Sequence, residues 1–343
     1  MSRVPAPESI VTHPKTWRLG ETPWRERPFP SARHRVIIDN DFSSDPDDLP
    51  QLVHHLLSPT VEIPLVVASH LPPDDWQDRG PNTANNGTLV ARDIFARMGL
   101  ISTEVIVTGA QEALVDAQTP QDSPAARAII AEALKDDERP IMYTAGGGLT
   151  DLASALLIEP AIAEKITLVW IGGHPHEGLG KQMQLPPSMK EYNLSIDPLA
   201  AGVCFANPTL NIWQCPFNAY SSFQVTDAEL LEKVARTGPL GQHLYDEINH
   251  IQARWAAEIA PIGEAYCLGD NPLVLLTALR GCYGMEAGSS AFTTIPKPLL
   301  NLDATYTPVP GARDMRVYTH LDARLALEDF YAKLAAFARW QAA

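Results

Sequence analysis

The chain has 343 residues and a formal net charge of −15 at pH 7, with 45% hydrophobic and 20% charged residues. This composition supports a large hydrophobic core and excludes global disorder, and the acidic charge argues against general nucleic-acid binding because it would repel phosphate backbones. No stretch reaches the roughly 20 apolar residues of a membrane span. The N-terminus lacks the pattern of a secretory signal, so we expect a cytoplasmic protein without a membrane partner.

The order of predicted elements indicates the fold class. Proline-rich residues 1–34 predict an extended N-terminal arm, and residues 35–343 predict one α/β domain. Predicted strands cover 36–38, 63–68, 105–107, 141–144 and 166–171, and predicted helices cover 49–57, 83–98, 123–134 and 149–157. Helices then predominate, at 197–206, 226–236, 239–258, 271–280 and 322–341, with short strands at 210–213 and 315–318. This alternation predicts an open, mostly parallel, Rossmann-like sheet flanked by helices, with a helical C-terminal portion.

The four cysteines are scattered along the chain without a CxxC spacing. We expect them to be buried free thiols in a reducing compartment, and a zinc site or a catalytic thiol is the alternative. These residues are Cys204, Cys215, Cys267 and Cys282.

An acidic loop follows the first predicted strand. Residues 39–48 carry five carboxylates, at Asp39, Asp41, Asp45, Asp47 and Asp48. The carboxyl ends of parallel strands are where α/β proteins bind ligands. Crowded carboxylates repel one another unless a cation lies among them, and their oxygens suit Ca²⁺ or Mg²⁺. The segment therefore predicts a cation site, and the alternative is a solvated acidic turn that caps the next helix.

Three later segments could converge on this loop. Residues 191–193 (Glu-Tyr-Asn) precede a predicted helix, Asp270 precedes another, and the glycines of loop 145–151 would let a backbone approach a ligand closely. This loop lacks the lysine of a phosphate-binding P-loop. Taken alone, Asp270 could be a helix N-cap, and Asn193 could be an amide that stabilises a loop. We expect no cysteine or paired histidine near the converging carboxylates, which favours a hard cation.

Together these segments resemble the inosine–uridine-type nucleoside hydrolase family. That family shows Asp-x-Asp-Pro-Gly-x-Asp-Asp, a Gly-x-Leu-Thr-Asn loop, a Met-Gly-Gly turn, Glu-Phe-Asn-x-x-x-Asp-Pro and a late Asp before a helix. The counterparts here occur in the same order over about residues 35–280, at 39–48, 147–151, 171–173, 191–198 and Asp270.

The resemblance implies a calcium-dependent N-glycosyl hydrolase that acts on ribonucleosides and forms a homodimer or homotetramer. Asp41 would bind the ion and take a proton from water, and three further ligands would be Asp48, Asp270 and the backbone carbonyl of Gly146. The ribose would be held by Asp47, Glu191 and Asn193, with Asp270 and His70 also on the substrate side.

Several positions depart from the family pattern. The acidic loop is two residues longer, which makes Asp45 an additional acid and resembles a divergent branch of the superfamily. The family's asparagine after the second strand falls at Ser69-His70, its second asparagine falls at Leu185 (beside Gln184), and its late histidine falls at Gly269. The acid that protonates the departing base is therefore not assigned. The candidates are His70, His174, His176, His243, Tyr245 and His250.

The base side of the site is expected in loop 71–86 and helix 240–258, which carry Trp76 and Trp255. Stacking on such aromatic rings tolerates many ring systems, so we expect sugar recognition to be stricter than base recognition.

Two other functional classes remain open. The lost asparagine and histidine positions favour a non-catalytic protein that binds nucleosides or sugars. Alternatively, Asp39-x-Asp41-x-Ser43 after a strand resembles haloacid-dehalogenase-type phosphatases, in which the first Asp would be the nucleophile and Mg²⁺ the ion.

Overall fold

A computed structural model of the chain describes residues 15–27, 31–182, 189–281, 286 and 288–343. The sequence positions Gln184, Leu185 and Cys282 lie outside this part. The strands of the described residues are β1 His34–Asn40, β2 Val61–Ala68, β3 Ile106–Thr108, β4 Ile141–Ala145, β5 Ile166–Ile171, β6 Asn211–Cys215, β7 Gln224–Thr226, β8 Ala265–Cys267, β9 Ala291–Pro296, β10 Leu299–Leu300, β11 Tyr306–Thr307 and β12 Asp314–His320.

The helices lie close to the segments of helical periodicity. They are α1 Asp48–Leu56, α2 Thr83–Arg97, α3 Pro124–Ala133, α4 Thr150–Ile158, α5 Tyr192–Ile196, α6 Pro198–Ala206, α7 Phe217–Tyr220, α8 Asp227–Lys233, α9 Pro239–Glu258, α10 Pro272–Ala278 and α11 Ala323–Ala342. Several of them begin at cap residues that can be recognised in the sequence. For example, the Ser123 side chain accepts a hydrogen bond from the Ala126 N–H, and Pro124 follows as the first residue of α3.

Within the described residues, eight strands form one sheet in the order β3-β2-β1-β4-β5-β6-β12-β9. All neighbours pair in parallel except β9, which is antiparallel to β12 at the edge. The chain runs outward from β1 to β2 and β3, then returns to β4 on the other side of β1. The carboxyl ends of β1 and β4 therefore meet at a topological switch point, which is where open α/β sheets bind ligands.

Two hydrophobic cores cover the two faces of the sheet. One face buries the apolar sides of α1, α2, α10 and α11, and the other buries those of α3, α4 and α6. The central strand β1 is buried over residues 35–40, as expected for a strand covered on both faces. Trp17, from the described part of the N-terminal arm, is 2% exposed and belongs to the first core.

The predicted fold class is confirmed: the sheet is mostly parallel, helices flank it, and the C-terminal portion is largely helical. The edge strand β9 was not predicted, since its residues are mostly half-exposed or exposed and it ends in proline. Of the helices in the described part of the chain, none combines the length and apolar character of a membrane span.

Candidate functional site

Two loops lie side by side at the switch point. Residues 41–47 leave β1 toward α1, and residues 146–149 leave β4 toward α4. The Gly146 N–H donates to the Asp39 carbonyl at 2.9 Å, which ties the second loop to the end of β1. The acidic loop and the glycine loop of the sequence analysis therefore form one crevice.

Asp41 and Asp270 approach the backbone of the glycine loop. A Cβ atom on Gly147 would lie 3.2 Å from Asp41 Oδ1, and one on Gly146 would lie 2.7 Å from Asp270 Oδ1. Both carboxylates are buried, with exposures of 5% and 3%. The two glycines thus give the carboxylates the room to lie against this loop.

The carboxylates of the crevice perturb one another. Burial raises the pKa of Asp41, and the nearby Asp48 raises it further. Burial also raises the pKa of Asp270, and repulsion from Asp47, Asp41, Asp48 and Asp45 adds to the effect. Among the described residues, Asp41 Oδ2 is buried and has no hydrogen-bond partner. Such a group favours a bound cation, which would satisfy this oxygen and relieve the repulsion.

The donor set fits a hard cation. In the described part of the chain, no three His, Cys, Asp or Glu side chains already stand in a metal-binding arrangement. Carboxylate oxygens and a backbone carbonyl are nevertheless the ligands that calcium prefers. The expectation that no cysteine lies nearby is wrong, because Cys267 is close to Asp47 and Asp45. Burial, and then these acids, raise the pKa of Cys267, which favours the thiol over the thiolate that metals bind.

Asp47 and Glu191 both lie beside Tyr220. A Cβ atom on Gly269 would lie 3.0 Å from Asp47 Oδ2 and 3.2 Å from Tyr220 Cδ2. The Tyr220 hydroxyl donates to Glu191 Oε1 at 2.8 Å. The structure therefore brings together two of the acids assigned to the ribose, and the aromatic ring that lies between them comes from α7.

Glu191 is the N-cap of α5, and both of its oxygens are engaged. Oε2 accepts from the backbone N–H groups of Gly173 (2.8 Å) and Leu194 (2.9 Å). Oε1 accepts from the Asn193 N–H (3.1 Å) and from the Tyr220 hydroxyl. A carboxylate offers about four acceptor sites, so a sugar hydroxyl could reach Glu191 only in exchange for a present partner.

Asn193 and His70 are held by buried hydrogen bonds. The Asn193 Nδ2 donates to the Ile171 carbonyl at 2.7 Å. His70 is 1% exposed, its Nδ1 donates to the Leu71 carbonyl at 2.9 Å, and its Nε2 lies 2.8 Å from Thr150 Oγ1. Both ring nitrogens of His70 are therefore occupied at the end of β2.

The remaining candidate acids lie in two groups. His174 Nε2 accepts from the Glu191 N–H at 3.2 Å, and His176 Nε2 donates to Gln214 Oε1 at 2.8 Å. Burial lowers the pKa of both rings, which favours their neutral forms at pH 7. On α9, by contrast, the Tyr245 hydroxyl donates to Asp227 Oδ1 at 3.0 Å, and His250 is exposed.

His243, the last candidate, also lies on α9. Its Nε2 is 3.6 Å from Asp93 Oδ2, and its Nδ1 is 3.8 Å from Glu247 Oε1. Asp93 lies on α2 and Glu247 on α9. His174, by contrast, contacts Glu191, one of the residues assigned to the ribose.

Sequence reasoning missed two tyrosines that hold the acidic loop. The Tyr192 hydroxyl donates to Asp75 Oδ2 at 2.8 Å and lies 2.9 Å from Ser44 Oγ. The Tyr266 hydroxyl of β8 donates to Asp45, the additional acid of the longer loop. Tyr192 could have been noticed, because the family has phenylalanine there, whereas no sequence signal connects residue 266 with this loop.

Loop 71–86 and α9 meet at an aromatic contact. The rings of Trp76 and Trp255 pack edge to face with centroids 5.7 Å apart. The Arg254 guanidinium lies 4.7 Å from the Trp76 ring centroid and donates to the Trp76 carbonyl at 3.0 Å. Asp75, the neighbour of Trp76, accepts a hydrogen bond from the Tyr192 hydroxyl, so the same loop also contacts α5.

Asp39 is unsuited to act as a phosphatase nucleophile. It is 0% exposed, and its Oδ2 accepts a hydrogen bond from the Tyr143 hydroxyl. Burial, and then repulsion from Asp151, raise its pKa, which favours the neutral acid over the nucleophilic carboxylate. The geometry therefore gives the phosphatase alternative no support.

Fold and site together define an open α/β protein with a buried, carboxylate-rich crevice at its switch point. Solved structures share this fold. A plant nucleoside hydrolase is 17% identical, with a TM-score of 0.65 and coverage of 89% of this chain and 99% of that chain. A purine-preferring ribonucleoside hydrolase from Gardnerella vaginalis is 18% identical, with a TM-score of 0.67 and the same coverages. The inosine-uridine preferring nucleoside hydrolase from Bacillus anthracis is 18% identical, with a TM-score of 0.58, over 88% and 99%. No curated protein matches the chain.

The family is identified by the sequence itself. The family model described as inosine-uridine preferring nucleoside hydrolase matches residues 36–281, which is most of the chain. The chain therefore belongs to this nucleoside hydrolase family. The resemblance and the expected enzyme class, an N-glycosyl hydrolase, are confirmed.

Proposed function

We propose that the chain hydrolyses the N-glycosidic bond of ribonucleosides, with calcium held by Asp41, Asp48, Asp270 and the Gly146 carbonyl, and with Asp41 as the base. The observation that carries the proposal is the buried Asp41, whose Oδ2 has no hydrogen-bond partner among the described residues and which faces the glycine loop across from Asp270. An oxygen in this position is available both to an ion and to a water proton.

Asp41 would act as the general base. Its Oδ2 is buried and has no hydrogen-bond partner among the described residues, so it could accept the proton of a water held beside it. Bound calcium would keep the neighbouring carboxylates ionised and make a nearby water more acidic. The negative charge of the crevice would also stabilise the oxocarbenium-like sugar as the base departs.

The ribose would be held from two sides. Asp47 lies on the α1 side, and Asn193 and Glu191 lie on the α5 side. Because the acceptor sites of Glu191 are filled, it would grip a hydroxyl by exchanging the Tyr220 hydroxyl for it. A site built this way leaves polar groups unpaired when a hydroxyl is missing, and such sites can discriminate by about 10⁴-fold or more.

A nucleoside panel tests this proposal. Purified protein is incubated with ribonucleosides and their 2′-deoxy counterparts, and free base and free sugar are separated by chromatography. We expect release of base from several ribonucleosides and a steep loss with 2′-deoxyribose. Cleavage that tolerates deoxyribose but accepts one base alone would contradict the assignment of Asp47, Glu191 and Asn193 to the sugar.

A second candidate is a non-catalytic nucleoside- or sugar-binding protein. It is favoured by the full engagement of His70 and Glu191 in hydrogen bonds within the protein. This candidate predicts that ribonucleosides raise the thermal unfolding midpoint while no base is released. The same panel, read by thermal shift and by product analysis, separates the two.

The assembly and location are further proposals. The family resemblance supports a homodimer or homotetramer, and the acidic composition with scattered cysteines supports a cytoplasmic protein. In the described part of the chain, Cys204 and Cys215 are buried free thiols and Cys267 is a partly exposed one. Light scattering after size-exclusion chromatography measures the assembly directly.

A further inference from the structure

A buried chain of polar side chains runs from Asp270 into the protein. Asn40 Nδ2 donates to Asp270 Oδ2 at 2.6 Å and lies 3.5 Å from Gln51 Oε1. Gln51 Nε2 lies 2.5 Å from His55 Nδ1, and His55 Nε2 lies 2.9 Å from Thr277 Oγ1. The inner four of these side chains are buried, and they connect β1, α1 and α10.

The direction of every hydrogen bond in this chain can be derived. Thr277 has one hydroxyl hydrogen, which it donates to the Leu273 carbonyl at 2.6 Å, so its oxygen must accept from His55 Nε2. Burial lowers the pKa of His55, so the ring is neutral and its Nδ1 carries no hydrogen. Nδ1 therefore accepts from Gln51 Nε2, and this turns Gln51 Oε1 toward Asn40.

These hydrogen-bond directions fix the orientation of the Asn40 side-chain amide. One Nδ2 hydrogen points at Gln51 Oε1, and the other makes the short bond to Asp270 Oδ2. The opposite amide orientation would set the Asn40 oxygen against both the Gln51 oxygen and the Asp270 carboxylate. A hydrogen bond to an ionised carboxylate is also stronger than a neutral one, so the amide restrains Asp270 in one orientation.

We propose that Asn40 is a positioning residue for the cation site, and that Gln51, His55 and Thr277 hold it so that Asp270 presents its carboxylate to the ion. The inference rests on the proposed calcium site. Outer partners of metal ligands typically change metal affinity by about 10- to 100-fold when they are removed. Asn40 and Gln51 together therefore act on the ion through Asp270, without touching substrate.

The test measures calcium affinity directly. Isothermal titration calorimetry on chelator-treated protein gives the calcium Kd of the wild type, Asn40→Ala and Gln51→Leu. The matched control is Asn211→Ala, because Asn211 also donates from a strand to a side chain, Thr167 Oγ1 at 3.0 Å, at the opposite end of the sheet. We expect Asn40→Ala to raise the Kd by about 10- to 100-fold, Gln51→Leu to raise it less, and Asn211→Ala to leave it unchanged.

Excess calcium distinguishes positioning from a structural role. Saturating calcium should restore most of kcat in Asn40→Ala, with KM little changed, and circular dichroism in chelator should show a folded protein. A wild-type Kd in Asn40→Ala overturns the inference while the calcium site stands. Absence of calcium binding in the wild type overturns both. Should Asn40→Ala fail to fold, an unchanged Kd in Gln51→Leu overturns the inference.

Discussion

Substitution of Gly146 by alanine should disrupt the proposed cation site while the rest of the fold stays intact. The added Cβ would lie 2.5 Å from Asp270 Cγ and closer still to Oδ2, so the two cannot coexist without movement. Moving Cγ out to an ordinary contact of about 3.5 Å requires a shift of about 1 Å. Such a shift would also break the 2.6 Å hydrogen bond from Asn40.

The cost of this shift can be estimated. A misplacement of about 1 Å in a catalytic group can lower the rate by on the order of 100-fold, which corresponds to about 2.7 kcal/mol. We therefore expect Gly146→Ala to lose about 100-fold in kcat/KM and to bind calcium more weakly. Gly147→Ala should lose less, because its Cβ would meet Asp41 Oδ1 at 3.2 Å, a distance that a small adjustment relieves.

The assay compares three alanine variants by base release and by calcium titration. Gly263→Ala is the control, because no atom would lie within 4 Å of its Cβ. Circular dichroism checks that each variant is folded. Wild-type turnover and calcium affinity in folded Gly146→Ala would refute the placement of Asp270 against this loop.

Three further outcomes are expected. Asp41→Asn should lower kcat by at least about 100-fold without lowering the unfolding midpoint, and unchanged turnover would show that another group is the base. Burial lowers the pKa of His54 from 6.5 to about 4, so the unfolded chain binds this proton more readily. The free energy of unfolding is therefore highest above pH 6.5 and decreases as the pH falls toward 4, by about 2 kcal/mol at pH 5. Urea unfolding of His54→Gln should show a flatter pH dependence than that of the wild type, and an equal slope would contradict this. Trp255→Ala should raise KM for purine nucleosides roughly two- to tenfold with little change in kcat, and an unchanged KM would place the base elsewhere.

The sequence predicted the framework because its signals are local. Helical periodicity and cap residues placed α3, α9 and α11 within a residue or two of their observed ends. The acidic loop was recognisable because it follows a fully apolar strand run. The strand order could not be derived from periodicity, yet the switch point between β1 and β4 is what makes the two loops neighbours.

The partners of the site residues depend on the tertiary structure. Asn40 and Asp270 are 230 positions apart, and Tyr266 and Asp45 are 221 apart, so no local pattern joins them. Glu191 was predicted as a sugar ligand, a role that stays a prediction. Two of its four donors are N–H groups of the helix it caps, and the other two are the Gly173 N–H and the Tyr220 hydroxyl, which the motif alone does not reveal.

Calcium titration of chelator-treated protein tests the central claim most directly, with binding followed by calorimetry and base release followed by chromatography in the same samples. The account predicts that chelator abolishes base release from a cleaved ribonucleoside and that one calcium ion per chain restores it. It also predicts that Asp41→Asn neither binds the ion as tightly nor recovers turnover. Base release at the full rate in chelator, with no calcium bound, would contradict the account.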